Sequence, residues 1–173
     1  MRGIYYFLIG IILFYIDTVI GIVIPIHFGK IDVIFVPHLT LMYLLILTIY
    51  RGFGVAVILA IFFGLITDLY LGSIYGLYMF GYILAVVIMD RLFKIFYRDT
   101  VMLFIVILLS TIFLEIYVAI IYGVIGFIQF NLLEFLLLRL LPTFILNLIL
   151  LIILYPIMLK FMRKIQNKID SRI

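Results

Sequence analysis

Cysteine and tryptophan are absent from the 173 residues, and charge is scarce. Without cysteine there are no disulfides, no thiolate metal sites and no cysteine nucleophile. The two histidines, His27 and His38, are too few to build a four-ligand metal site by themselves. Charged residues make up 12% of the chain, hydrophobic residues 69%, and the mean hydropathy is +1.50. Soluble domains carry about 25% charged and about 45–50% apolar residues. The polar residues cannot cover a globular surface, so a soluble catalytic domain is excluded and lipid must be the main solvent.

In hydrocarbon the backbone has to satisfy its own hydrogen bonds, which leaves helices or a closed barrel. A barrel alternates apolar and polar residues over strands of about 10 residues. Val101–Phe113 and Leu136–Leu154 are apolar at nearly every position, so the expected fold is all-α: a polytopic helix bundle in one domain, 1–173. A spanning helix needs about 20 residues. Six spans are predicted, near Ile4–Ile26, Val36–Tyr50, Phe53–Tyr70, Ile74–Phe93, Thr100–Tyr122 and Leu133–Leu159. Pro37 suits the first turn of the second. Pro142 and Pro156 are expected to kink the sixth. The start, Met1-Arg2-Gly3 and an apolar run, is similar to a signal peptide. No small-residue cleavage pattern follows, and the first alanine is Ala56, so the run reads as an uncleaved helix.

The basic residues set an orientation. With the N-terminus in the cytoplasm, Arg2, Arg51, Arg91, Lys94, Arg98, Lys160, Arg163, Lys164, Lys168 and Arg172 all fall inside. Lys30 alone lies in an outer loop, and Arg139 lies within a span. Both ends are therefore expected in the cytoplasm, with a basic tail over about residues 160–173. The net charge of +4 follows the inner leaflet and does not point to nucleic acid. Tyr5, Tyr50, Tyr70, Tyr97, Tyr122 and Tyr155 can supply the interfacial belt that tryptophan would otherwise share.

Four ionisable residues fall inside spans: Asp17, Asp68, Glu115 and Arg139. Each costs about 2.5–3.5 kcal/mol at a helix centre on insertion scales, so each calls for a reason. Asp17 lies roughly 20 Å up the first span and Asp68 roughly 22 Å up the third. Glu115 has a similar depth, and Arg139 lies a turn or two below the outer end of the sixth span. These depths converge on a polar layer in the outer half of the membrane, with Arg139 the one cation facing three acids. Glu115–Arg139 is the expected pair. An ion pair that fixes packing is the simplest reading. A polar cavity for a ligand or partner is a second, and a proton relay, which needs acids at several depths, a third. Asn147 reads as an interhelical hydrogen bond, Asp90 beside Arg91 as a solvated interfacial pair, and His38 as a polar cap.

The segment from Gly64 to Tyr82 is rich in glycine. Gly72 and Ser73 are expected to reverse the chain. Gly64, Gly72, Gly76 and Gly81 let helices approach closely. Asp68 can cap the following helix or bond free N–H groups in the turn. No Gly-Lys-Ser/Thr follows, so this is not a phosphate loop. No Ser/His/acid set, HExxH motif or internal repeat is present, so no enzyme or repeat transporter is indicated.

This segment, with Asp68, Gly72, Gly76 and Tyr82, resembles the signature region of the rod shape-determining MreD family. Arg139-Leu140-Leu141-Pro142-Thr143-Phe144-Ile145-Leu146-Asn147 resembles that family's last span, particularly in its Gram-positive members. Val36-Pro37-His38 and Leu114-Glu115-Ile116-Tyr117 fit the same pattern, and the resemblance covers the whole chain. It implies a small component of the bacterial elongation machinery in the cytoplasmic membrane, with no enzymatic activity and no cofactor. The implied partners are MreC, the actin homologue MreB, the glycosyltransferase RodA and a class B penicillin-binding protein. The implied role is support of lateral peptidoglycan synthesis and cell shape. The family is also similar in architecture to the six-helix substrate-binding subunits of energy-coupling-factor vitamin transporters. Such a subunit is the alternative reading, although its usual alanines on the first helix are missing here. A proton-coupled carrier using Glu115 is a third.

Overall fold

The computed structural model describes residues 2–24, 26–28, 31–95, 100–127 and 131–170. Lys30, Tyr97, Arg98 and Arg172, which entered the orientation and belt arguments, lie outside them. The fold is an all-α bundle. Helix α1 (Arg2–Val23) is followed by a short antiparallel hairpin, β1 (Ile26–Phe28) with β2 (Ile31–Val33), in which His27 faces Asp32 in register. Then come α2 (Leu39–Arg51), α3 (Phe53–Leu71), α4 (Leu77–Ile95) and α5 (Thr100–Ile125). The last helix begins as α6 (Leu132–Glu134), passes through a π-helical stretch, Phe135–Leu140, and continues as α7 (Leu141–Asp170).

Helix α2 is the hub. It packs against α1, α3, α4, α5 and α7, and all residues from Leu39 to Thr48 are buried. A helix apolar on every side is stable only when surrounded on every side. By contrast, α1 packs mainly on α2 and α3 and leaves Ile4, Leu8, Ile12, Val19 and Ile22 exposed, as a lipid-facing helix does. Among the described residues, four helices are long and apolar enough to cross a membrane: Gly3–Val23, Phe53–Leu71, Thr100–Ile125 and Leu132–Met162. Helix α4 has comparable length but carries Asp90, Arg91 and Lys94 near its end. Helix α2 has 13 residues, about 20 Å at the helical rise. That is short of the roughly 30 Å hydrocarbon core.

Extended chain precedes the helix. The expected second span starts at Val36 with Pro37 in its first turn, but α2 starts at Leu39. Residues 34–38 approach it without helical structure. Proline biases the residue before it toward extended backbone, which explains why the helix does not reach Val36. The expected kinks at the other prolines are also placed more closely. Pro142 falls in the first turn of α7, just after the π-helical stretch, and Pro156 lies inside α7, which runs on through it.

Helices α3 and α4 share the most extensive contact in the bundle. Gly64 allows it, because a Cβ there would collide with the backbone of Met79. Gly81 similarly receives Leu114 of α5, where a Cβ would stand 2.5 Å from Cδ1. Gly72 serves the expected chain reversal, and Gly76 lies in the same turn, so neither shares the close-packing role of Gly64 and Gly81. Gly72 ends α3, its N–H bonding to the Asp68 carbonyl, and Gly76 precedes α4 with φ +91°. Both lie in the 72–76 turn, so neither presents a helix face.

Three buried hydroxyls bond back to their own helices. Thr48 donates to the Leu44 carbonyl, Thr67 to Phe63 and Ser110 to Val106. At the end of the bundle holding the N-terminus, Arg51 donates to the Met162 carbonyl at 2.9 Å and lies 5.4 Å from the Tyr6 ring centre. Gly64→Val is expected to lower the thermal midpoint in detergent by forcing α3 from α4, at a cost of about 1–3 kcal/mol. Gly54→Val, where nothing lies within 4 Å, serves as the control and is expected to change little. Fluorescence-detected size exclusion after heating checks both.

Candidate functional site

The polar residues cluster around the extended segment at the hairpin end of the bundle. In the last helix, Pro142 has no N–H, so the Leu138 carbonyl loses its usual partner four residues on. Ile34 N–H bonds to that carbonyl at 2.8 Å. One turn further, Val36 N–H donates to Thr143 Oγ1 at 3.1 Å. Asn147 then closes the set. Its Nδ2 donates to the Val36 carbonyl at 2.8 Å, and its Oδ1 accepts His38 N–H at 2.8 Å. Nδ2 also reaches the Thr143 carbonyl of its own helix at 2.8 Å.

These bonds fix direction as well as position. From Leu138 to Asn147 the helix rises roughly 13 Å. From Ile34 to His38 an extended chain covers about the same distance. The segment therefore lies along the last helix, in the same direction, held by its side chains and one freed carbonyl.

Asp17 and Asp68 do similar work at two helix starts. Asp17, on α1, accepts Leu39 N–H at 2.7 Å on one carboxylate oxygen. Its other oxygen accepts Thr40 N–H at 2.7 Å and the Thr40 hydroxyl at 2.6 Å. These are the first N–H groups of α2, which have no partner inside the helix. Asp68, on α3, accepts Tyr78 N–H at 2.7 Å and the N–H groups of Gly76 and Met79 at 3.0 Å each. The positive φ of Gly76 belongs to the turn that presents these groups. Both aspartates supply from a neighbouring helix what an N-cap supplies locally, where the helix dipole also favours an anion.

Glu115 is fully buried on α5. One carboxylate oxygen lies 2.9 Å from His38 Nε2, the other 2.7 Å from Arg139 Nε. The expected single cation facing three acids therefore needs correcting. Arg139 meets Glu115 alone among them, because Asp17 and Asp68 are saturated by backbone N–H groups. His38, read from sequence as a polar cap, is buried and joins Glu115 to the segment it ends. The signal for that was Pro37-His38 opposite a mid-span glutamate.

Beside this network is a cavity of about 280 Å³ between α1, α3, α4 and the extended segment. Asp17, Thr18, His38, Tyr70, Tyr78 and Tyr82 contribute to its wall. Among the described residues no group of three or more His, Cys, Asp or Glu is placed to hold a metal ion.

An all-α bundle with four membrane-length apolar helices and buried carboxylates that hold backbone and a cation defines a helical membrane protein. The family model for rod shape-determining protein MreD matches residues 1–165, and the chain belongs to that family. Comparison with curated proteins finds no match. Comparison with solved structures finds none either.

Two substitutions probe the network. Asn147→Leu removes three hydrogen bonds and strands two buried backbone groups, at an expected cost of about 2–4 kcal/mol. A large fall in thermal midpoint and in membrane abundance is expected. Arg139→Leu leaves Glu115 beside His38 alone, and breaking a buried pair costs about 3–5 kcal/mol. Abundance should drop, and adding Glu115→Gln should restore much of it. Immunoblots of membrane fractions check both.

Proposed function

We propose that this chain is a non-enzymatic scaffold of the bacterial elongation machinery. In this reading it sits in the cytoplasmic membrane with both ends inside and crosses six times. It binds MreC and so supports lateral peptidoglycan synthesis and cell shape. RodA, a class B penicillin-binding protein and MreB belong to the same assembly. Family membership supports the cell-shape role. The observation that carries the scaffold mechanism is that Asp17, Asp68 and Glu115 are all spent on holding the fold. A carboxylate saturated by backbone N–H groups has no free role as a base. A bundle fixed in this way offers a rigid surface to another protein's transmembrane segment.

Six crossings are consistent with the lengths. The extended segment adds about 16 Å to α2, bringing the pair to the thickness of the hydrocarbon core. The charge bias of the loops supports the orientation.

The test is affinity purification of the tagged chain in mild detergent, with mass spectrometry of what accompanies it. Recovery of MreC, with or without RodA and the penicillin-binding protein, is the expected result. Recovery of paired ATPase subunits with a transmembrane coupling protein, and no MreC, would replace this reading with that of a transporter's substrate-binding subunit.

A further inference from the structure

Arg139 is engaged on one edge only. Its Nε meets Glu115, but among the described residues no acceptor meets either terminal guanidinium nitrogen. The Arg139 side chain keeps 30% of its surface exposed, while Glu115 keeps 1%. The open edge therefore faces outward from the bundle. Glu134, the other acid of this segment, makes no bond to it among the described residues. Four N–H donors beside hydrocarbon, without acceptors, is a costly arrangement unless something outside the chain accepts them.

The surroundings indicate what that is. Leu136, Leu137 and Leu141 flank Arg139 on the same helix, and all are exposed. Val124 and Ile125 are exposed at the end of α5. In the proposed membrane topology these side chains face lipid. Arg139 lies seven residues from the helix start at Leu132, roughly 10 Å. Side chains on a helix lean toward its N-terminus, so the long stem carries the head back toward the hairpin-end interface. Tyr122 lies at the same end of the bundle, near the end of α5. Tyr122 accepts Ser73 N–H at 3.1 Å on its oxygen, so its O–H proton is available to donate.

We infer that the open edge of Arg139 binds the phosphate of a glycerophospholipid whose acyl chains lie along the exposed leucines of the last helix. The guanidinium fork matches two phosphate oxygens. The buried carboxylate behind it fixes the fork and, with His38 on its second oxygen, keeps it from turning inward. A partner protein's carboxylate would satisfy the same donors. The apolar flanks and interfacial depth favour the lipid, because they match chain and headgroup together.

The experiment is native mass spectrometry of the full chain in a neutral sugar detergent. It is titrated separately with phosphatidylglycerol, diacylglycerol of the same acyl chains, and inorganic phosphate. One tightly held phosphatidylglycerol is expected, with diacylglycerol and inorganic phosphate much weaker. Glu115→Gln with Arg139→Gln removes the cation without stranding the acid. That variant should lose affinity by about tenfold. Should the double variant not purify, Arg139→Lys, which keeps the charge but not the fork, reads the same loss. Unchanged phosphatidylglycerol binding in these variants overturns the proposal. So does equal binding of diacylglycerol. Saturation by inorganic phosphate alone overturns the lipid source, and displacement of the lipid by a single-span peptide bearing a glutamate assigns the site to a protein partner instead.

Discussion

Backbone that leaves the helix inside a membrane has to find every hydrogen bond it abandons. Water is absent, and each unmet group costs several kcal/mol. Residues 34–38 are extended chain lying against the last helix, and in the proposed six-span topology they are such a stretch. Their tolerance explains why the surrounding polar residues have the identities they do. Asn147 can both donate and accept, so it serves the Val36 carbonyl and His38 N–H together. Thr143 offers an oxygen one turn away. Pro142 releases a carbonyl for Ile34. Asp17 then receives the first N–H groups of α2 as the helix begins. Remove the extended segment and none of these residues has a reason to be polar.

The same economy governs the charges. A carboxylate in hydrocarbon is tolerable when its oxygens are filled. Asp17 and Asp68 are filled by helix-start N–H groups, and Glu115 by His38 and Arg139. The acids thereby become joints between elements distant in sequence: α1 to α2, α3 to α4, and α5 to both the extended segment and the last helix. Rigid joints suit the scaffold role proposed for this member of a rod shape-determining family. Arg139 is the exception, joined on one edge and open on the other. That is where the bundle's internal network meets its surroundings.

Much of this was legible in the sequence, and the parts that were not have physical reasons. Composition and long apolar runs forced a helical membrane bundle. The helices α3, α5 and the last one fall close to the predicted spans. Only the start of α2 differs from the expected second span, since Ile34, Phe35 and Val36 are apolar whether helical or extended and hydropathy cannot report the break. Pro37 carried the signal and was placed inside the helix instead of before it. The Glu115–Arg139 pair and the bonding of Asp68 to the N–H groups of the following turn are both legible, whereas the role of Asp17 is not, because its partners are the backbone N–H groups of a helix start more than twenty residues on. For the same reason His38 looked like a cap: its partner lies 77 residues away in the chain. Gly72 and Gly76 have the spacing of a packing motif, yet they serve a turn, since spacing does not reveal whether the helix persists across it.

Amide hydrogen exchange of the chain in lipid nanodiscs, resolved at residues 34–40, tests the central claim most directly. In a bonded extended segment protection should alternate. Ile34, Val36 and His38 should exchange slowly, and so should Leu39 and Thr40 beneath Asp17. Phe35, whose N–H meets no acceptor among the described residues, should exchange faster than its neighbours. Uniform slow exchange through 34–38 would mean the helix continues to the interface. Uniform fast exchange would mean the segment is not held. Either result would contradict the view that the polar residues of this bundle exist to secure unwound backbone.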